Sequence, residues 1–223
     1  MSAVLEAESL YRFYHAGDDE TLALRGVSLA VAAGEMVAVT GPSGSGKSTL
    51  LSCLAGLDEP SGGMVRVAGR RLSRRPESER AALRASHIGM LFQTANLVEH
   101  LDVAENVALA QRLAAPVAGD CRPAVAELLA HVGLQGRTHA RPSQLSGGEL
   151  ACAGLAVALA NRPAVLLADE PTGELDATTA QRVLALLRRR ADDGGAVVVV
   201  THNPAVAAAA DRTVELADGR VVA

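Results

Sequence analysis

The stretch "EMVAVTGPSGSGKSTLLSCLAGL", Glu35–Leu57, decides the fold. An apolar run ends at Thr40, a glycine-rich turn follows, and a second apolar run of helical composition begins at Leu50. Gly41–Thr49 has the form G-x-x-x-x-G-K-[ST], and a strand before it with a helix after it is the setting in which that spacing carries chemistry. Gly44 and Gly46 let the backbone turn so that its N–H groups converge on phosphate oxygens, and the helix N-terminus adds the positive end of its dipole. Gly41, Pro42, Ser43, Gly44, Ser45, Gly46, Lys47, Ser48 and Thr49 are therefore candidate nucleotide-binding residues. Within them Lys47 suits the β- and γ-phosphates and Ser48 suits a Mg²⁺ ion. Lys47 is the only lysine in a chain that otherwise uses arginine, at a slot that needs a compact ammonium on a flexible stem.

Outward from this stretch the pattern is α/β. Further strand-like runs lie at Val27–Val31, Met64–Val67, Ile88–Leu91, Val165–Ala168, Val197–Thr201 and Thr213–Leu216. The runs "MVAVT", "AVLLA" and "AVVVVT" are apolar throughout, as parallel strands covered on both faces require. Between Leu91 and Val165 helix signals take over. Asp102 and Glu105 form a capping box opening a helix through about Ala115, and Asp120 to Val132 reads as another, with Pro123 in its first turn and Gly133 as its stop. The spacing predicts one domain over 1–223, with a helical subdomain inserted at about 94–162. The arginine-rich segment Arg70–Arg84 has glutamates interleaved and predicts a solvated loop and surface helix.

Composition narrows the class. With 223 residues, 49% of them apolar, the chain is long enough for one well-buried core, and a net charge of −4 gives no reason to expect nucleic acid as a partner. The three cysteines follow no metal spacing, and an odd count suits a reducing compartment. No apolar run approaches the ~18 residues a membrane span needs and the N-terminus lacks the pattern of a signal peptide, so a cytoplasmic location is expected.

Two more strand ends carry polar groups. "AVLLADEP" (164–171) delivers Asp169, placed for the Mg²⁺ shell, and Glu170, placed to orient or deprotonate an attacking water. "AVVVVTHN" (196–203) delivers His202 to the same edge, where ligands of open parallel sheets bind, and favours a γ-phosphate contact. Gln93, after "IGMLF", meets that edge too and is a candidate Mg²⁺ ligand. Far along the chain, Ser146, Gly147, Gly148 and Glu149 form another capping box, with backbone N–H groups exposed at a helix N-terminus. One phosphate loop already serves the chain, so this second anion site fits a phosphate held by a different copy. Two chains head to tail would enclose two nucleotides.

These pieces together resemble an ATP-binding-cassette nucleotide-binding domain over essentially the whole chain. The resemblance rests on an aromatic stacker in "YRFYHAG", the phosphate loop, Gln93, "LSGGE", Asp169–Glu170, "ELD" at 174–176 and His202. It implies a P-loop NTPase core, mostly parallel with flanking helices and an antiparallel N-terminal β part, and ATP with Mg²⁺ as ligands. It also implies that Tyr14, with Tyr11 the alternative, stacks on adenine and that the loop around Asp176 communicates across the dimer. "IGMLFQTANLVEHLDVAENVALA" and "LLADEPTGELD" resemble the ATPases of lipoprotein-release, macrolide-export and cell-division systems. That subgroup implies an ATPase working as a homodimer or paired with a second ATPase, held at the inner face of the membrane by a separate permease subunit. It also implies export, extraction or force transmission. The alternative is a slow or non-hydrolysing ATP-dependent regulatory module controlling a membrane partner. It draws on a departure: after "LSGGE" the family continues with glutamines and arginines, whereas this chain has Leu150, Ala151, Cys152 and Val157. Without those polar side chains the insert is expected to be less rigidly tied to the core, or to lean on a partner for order.

Overall fold

The computed structural model describes residues 3–16, 19–92, 97–114 and 122–222. Two sheets form. The first is antiparallel, in the order β2-β1-β4-β5, from β1 (Ala3–Ala16), β2 (Asp19–Ala32), β4 (Gly62–Val67) and β5 (Arg70–Arg71). The second has the order β10-β9-β3-β8-β7-β6, from β3 (Met36–Thr40), β6 (Ile88–Leu91), β7 (Val165–Asp169), β8 (Ala196–Val200), β9 (Arg212–Ala217) and β10 (Arg220–Val221). Its pairings are parallel except β10 with β9. Helices α1 (Lys47–Leu54), α2 (Glu77–His87), α3 (Val103–Leu113), α4 (Val125–His131), α5 (Gly147–Leu159), α6 (Ala177–Asp192) and α7 (Pro204–Ala208), with a 3-10 turn at Pro142–Gln144, complete the described elements.

Strand periodicity divides the core. Side chains of alternate residues point to opposite faces. Val37, Val39, Val165, Leu167, Val198 and Val200 join α1 and the first sheet in one apolar cluster. Leu166, Ala168, Val197 and Val199 join α3, α4, α5 and α6 in the other. The parallel strands are therefore buried on both faces, which is why their sequences carry no alternation.

The antiparallel part is larger than the sequence indicates: only Val27–Val31 of β2 reads as a strand, and β1 does not. Register shifts in the β1–β2 ladder, among them Ala7/Leu10 and Arg12/Phe13, break the alternation that would reveal it. Between β6 and β7 the described elements are helical. Helix α3 begins at the expected capping box, with Asp102 accepting from Glu105 N at 2.8 Å and Glu105 answering to Asp102 N at 2.8 Å. Helix α4 begins at Val125, past Pro123 and later than the sequence predicts; Asp120 lies outside the described residues. In the arginine-rich segment, Arg80 pairs with Glu59 and Glu77 and Arg84 pairs with Glu77, as a solvated helix requires.

Candidate functional site

The phosphate loop leaves β3 and enters α1 through Gly46, whose φ of 101° lies in the left-handed region. A Cβ there would sit 2.5 Å from the Ala23 carbonyl oxygen, and one at Gly41 2.1 Å from that of Leu216, so only glycine lets the loop lie this close to its neighbours. Lys47 Nζ donates to the Gly41 and Pro42 carbonyls at 2.8 Å each, which lays the ammonium along the inside of the loop. A cavity of about 330 Å³ against the loop is lined by Gly44, Gly46, Lys47, Ser48 and Thr49, together with Thr21 and Arg25 of β2. Thr21 is the ladder partner of Tyr14, and the Tyr14 hydroxyl bonds to Asp58 Oδ2 at 2.6 Å. Tyr14 thus stands next to the loop. Tyr11 packs instead over Gly26 and Gly62.

Strands β7 and β8 bring in the charged groups. Burial, with the negative Glu170 beside it, pushes the Asp169 carboxyl above the usual carboxylate range, opposed by a hydrogen bond with Ser48 and by the charge of Lys47. Glu170 adopts φ 45°, a conformation most side chains avoid. Its N–H donates to Val200 O at 2.9 Å and its carbonyl accepts from Gly173 N at 3.1 Å, so the turn is locked to β8. The carboxylate is pinned too. Oε1 accepts from His202 N at 3.0 Å and lies 2.7 Å from His202 Nδ1, while Oε2 accepts from Thr201 Oγ1 at 3.2 Å. A carboxylate facing Nδ1 places a proton on that nitrogen and leaves Nε2 pointing elsewhere. Lys47, Ser48, Asp169, Glu170 and His202 therefore gather at one edge of the sheet. Gln93 lies outside the described residues.

Ser146 caps α5 as its sequence predicts. Its hydroxyl accepts from Glu149 N at 3.3 Å, and Glu149 Oε2 accepts from Ser146 N at 2.9 Å. Arg137 Nε donates to Glu149 Oε1 at 2.8 Å and fixes the box from outside. Ser146, Gly147 and Gly148 do not line the cavity against the phosphate loop. Gly147 instead borders a cleft of about 770 Å³ shared with Leu150, Ala151, Glu170 and Pro171. Asp176 caps α6, accepting from Thr178 N, Thr179 N and Thr179 Oγ1, bonds that hold its carboxyl below the usual range.

Of the four positions that depart from the family pattern, Cys152 is buried, while Leu150, Ala151 and Val157 are half-buried. Cys152, Ala153, Leu155 and Ala156 are buried in the second core cluster with residues of β6, α3, α4 and α6. From Cys152 onward the helix is mostly enclosed and apolar for that reason. Sequence reasoning missed Thr201, Arg12, Asp58 and Arg137. Each acts by gripping another site residue, and no local spacing marks such a partner.

The sequence profile of the ABC transporter family matches residues 24–173. The macrolide export ATP-binding/permease protein MacB of Chromobacterium violaceum is 42% identical over 220 residues, covering 99% of this chain and 34% of that protein. The Hahella chejuensis protein of the same description is 43% identical over 220 residues, covering 99% and 34%. The chain thus spans about a third of the length of these curated relatives. Among solved structures, the ATP-binding cassette MJ0796, in a dimeric post-hydrolysis state bound to ADP and Pi, superposes with a TM-score of 0.89 at 35% identity, covering 98% of this chain and 97% of that one. With the phosphate loop, the acidic strand end and the capped glycine turn in place, the chain belongs to the ABC transporter family, as an ATP-binding cassette.

Proposed function

We propose that this cassette hydrolyses Mg²⁺-bound ATP at a site completed by a second cassette, and passes the resulting closure and opening to a separate membrane permease. The observation that carries the reading is Glu170, a carboxylate fixed by three hydrogen bonds beside the phosphate loop. In this reading the loop from Gly41 to Thr49 cradles the phosphates, Lys47 neutralises the β- and γ-phosphates, and Tyr14 stacks on the base. Ser48, Asp169 and Gln93 hold the Mg²⁺. The donor set fits that ion. Hydroxyl and carboxylate are hard oxygen ligands, and the Asp169–Glu170 pair is a place where a divalent charge is needed. Bound there, Mg²⁺ offsets the charge of the β- and γ-phosphates.

Glu170 accepts a proton from the attacking water, held in one orientation by Thr201 and His202. Nδ1 of His202 faces Glu170, which leaves Nε2 as the ring nitrogen that meets the γ-phosphate. Ser146, Gly147 and Gly148 of the second cassette approach the γ-phosphate from the other side. Their absence from the phosphate-loop cavity of their own chain supports this division. Asp176, at the N-terminus of α6, stands where a contact across the dimer reaches the turn that carries Glu170. The helices between β6 and β7, within about 94–162, form the inserted subdomain that carries the second half-site. No described helix is long and apolar enough to cross a membrane. The relatives join ATP-binding and permease parts under one description, and the permease of this cassette holds it at the inner, cytoplasmic face, for export or extraction.

ATP turnover per molecule is expected to climb with protein concentration and to fall by about a hundredfold or more in Glu170→Gln, the range a general base contributes. A rate independent of concentration would overturn the shared site. Turnover retained in Glu170→Gln would overturn the base. No turnover in the wild type, with ATP still bound, would favour the regulatory module suggested by Leu150, Ala151, Cys152 and Val157.

A further inference from the structure

Tyr14 is gripped on two sides by residues outside the phosphate loop. The Arg12 guanidinium lies over its ring, 4.5 Å from the centroid. Arg12 Nε and Nη2 reach Asp58 Oδ2 and Oδ1 at 2.8 Å each, and Asp58 Oδ2 also accepts from the Tyr14 hydroxyl at 2.6 Å. The triangle is closed: cation on carboxylate, carboxylate on phenol, cation on ring. Arg12 and Asp58 side chains are 24% and 23% exposed, so water competes weakly for them. Burial alone would raise the Asp58 carboxyl, yet the bonds from Arg12 and Tyr14 bring it below its usual range. The grip joins two elements far apart in sequence: Arg12 and Tyr14 come from β1, and Asp58 from the turn after α1, the helix that begins in the phosphate loop. The ring is thereby tied to the element that holds the phosphates.

We propose that Arg12 and Asp58 are positioning residues that fix Tyr14 as a platform with one open face, so that they govern affinity for the nucleobase and leave affinity for the phosphates unchanged. This rests on the reading of Tyr14 as the base stacker. The cation occupies one face of the ring and draws electron density from the other, where the base lies. With its phenol and one face held, the ring has little orientational freedom left to lose when a base arrives.

The test uses the full chain, titrated calorimetrically with ATP and with inorganic tripolyphosphate, which has no base. Tyr14→Ala is expected to weaken ATP binding by about five- to a hundredfold, the span of base–aromatic stacking. Arg12→Ala and Asp58→Asn are expected to weaken it by about two- to thirtyfold, the range of a cation–π contact. Arg12→Lys, which keeps the charge but not the two-point grip, should fall between Arg12→Ala and the wild type. Tripolyphosphate binding should be unchanged in all four variants, which also reports that they fold. Adding Arg12→Ala to Tyr14→Ala should cost nothing further. If only Tyr14→Ala matters, the positioning role is wrong and stacking stands. If Tyr14→Ala changes nothing, stacking itself is wrong and the proposal falls with it. Equal losses for ATP and tripolyphosphate would mean a general structural role and overturn the proposal. Tighter ATP binding in Arg12→Ala would mean that Arg12 covers the face the base needs, and would overturn it as well.

Discussion

Glu170 joins two demands that usually conflict. Its backbone adopts φ 45°, while its side chain accepts from Thr201 and from the His202 backbone and faces the His202 ring. The left-handed conformation costs an L-residue about 1–2 kcal/mol, and here the hydrogen bonds of the turn and the carboxylate sustain it. The two contributions separate by mutation. Glu170→Ala loses the bonds and keeps the strained backbone, whereas Glu170→Gly loses the bonds and relaxes it. The glycine variant is therefore expected to be more stable than the alanine variant by about 1 kcal/mol in urea unfolding, with both inactive. Equal stabilities would show that the turn is unstrained. The carboxylate was legible in the sequence as the last residue but one of "AVLLADEP". Its three-point support was not, because Thr201 and His202 lie on another strand and register decides the pairing: Asp169 sits opposite Val200.

At the scale of elements, the junction of α5 and α6 is the tightest point near the second anion turn. A Cβ on Gly148 would lie 2.5 Å from Thr179 Cγ2, 3.1 Å from its Oγ1 and 3.3 Å from its Cβ. Gly148→Ala should therefore push the two helices apart and destabilise by about 1–3 kcal/mol, as overpacking does. Thr179→Ser removes the methyl and keeps the hydroxyl that donates to Asp176, so the double variant should recover part of the loss. Thermal unfolding of the four proteins measures it, and no recovery would place the strain elsewhere. The second glycine of "SGGE" is thus needed for packing as well as for exposing an N–H. From sequence the capping box of α5 was evident, since a Ser and a Glu at that spacing close on each other locally. The close approach of α6 was not, because it joins residues from opposite ends of β7. The antiparallel sheet was the least legible part: bulged, half-exposed strands lose the period that announces them, whereas β3, β7 and β8 announce themselves by having none.

For the molecule as a whole, the dominance of arginine has a consequence in alkali. Among the described residues, each ion pair of a basic side chain other than histidine with a carboxylate is formed by an arginine: Arg12, Arg75, Arg80, Arg84, Arg137, Arg188 and Arg212. Lysine pairs dissolve as the ammonium titrates near pH ~10.4, but a guanidinium keeps its proton beyond that. The vulnerable groups are inside. Burial, with the negative Asp58 adding to it, pushes the Cys53 thiol from 9.0 up to about 12. The unfolded thiol ionises first, so the stability present below pH 9.0 is lost as pH rises toward about 12. The slope is about 1.4 kcal/mol per pH unit once the unfolded thiol is fully ionised. Cys53→Ala, which leaves only a small void at neutral pH, should flatten that decline in urea midpoints between about pH 8 and pH 11. An unchanged slope would assign the loss to another group. With a guanidinium exterior and a thiol among its core leucines, the protein meets base from within: its salt bridges outlast its interior.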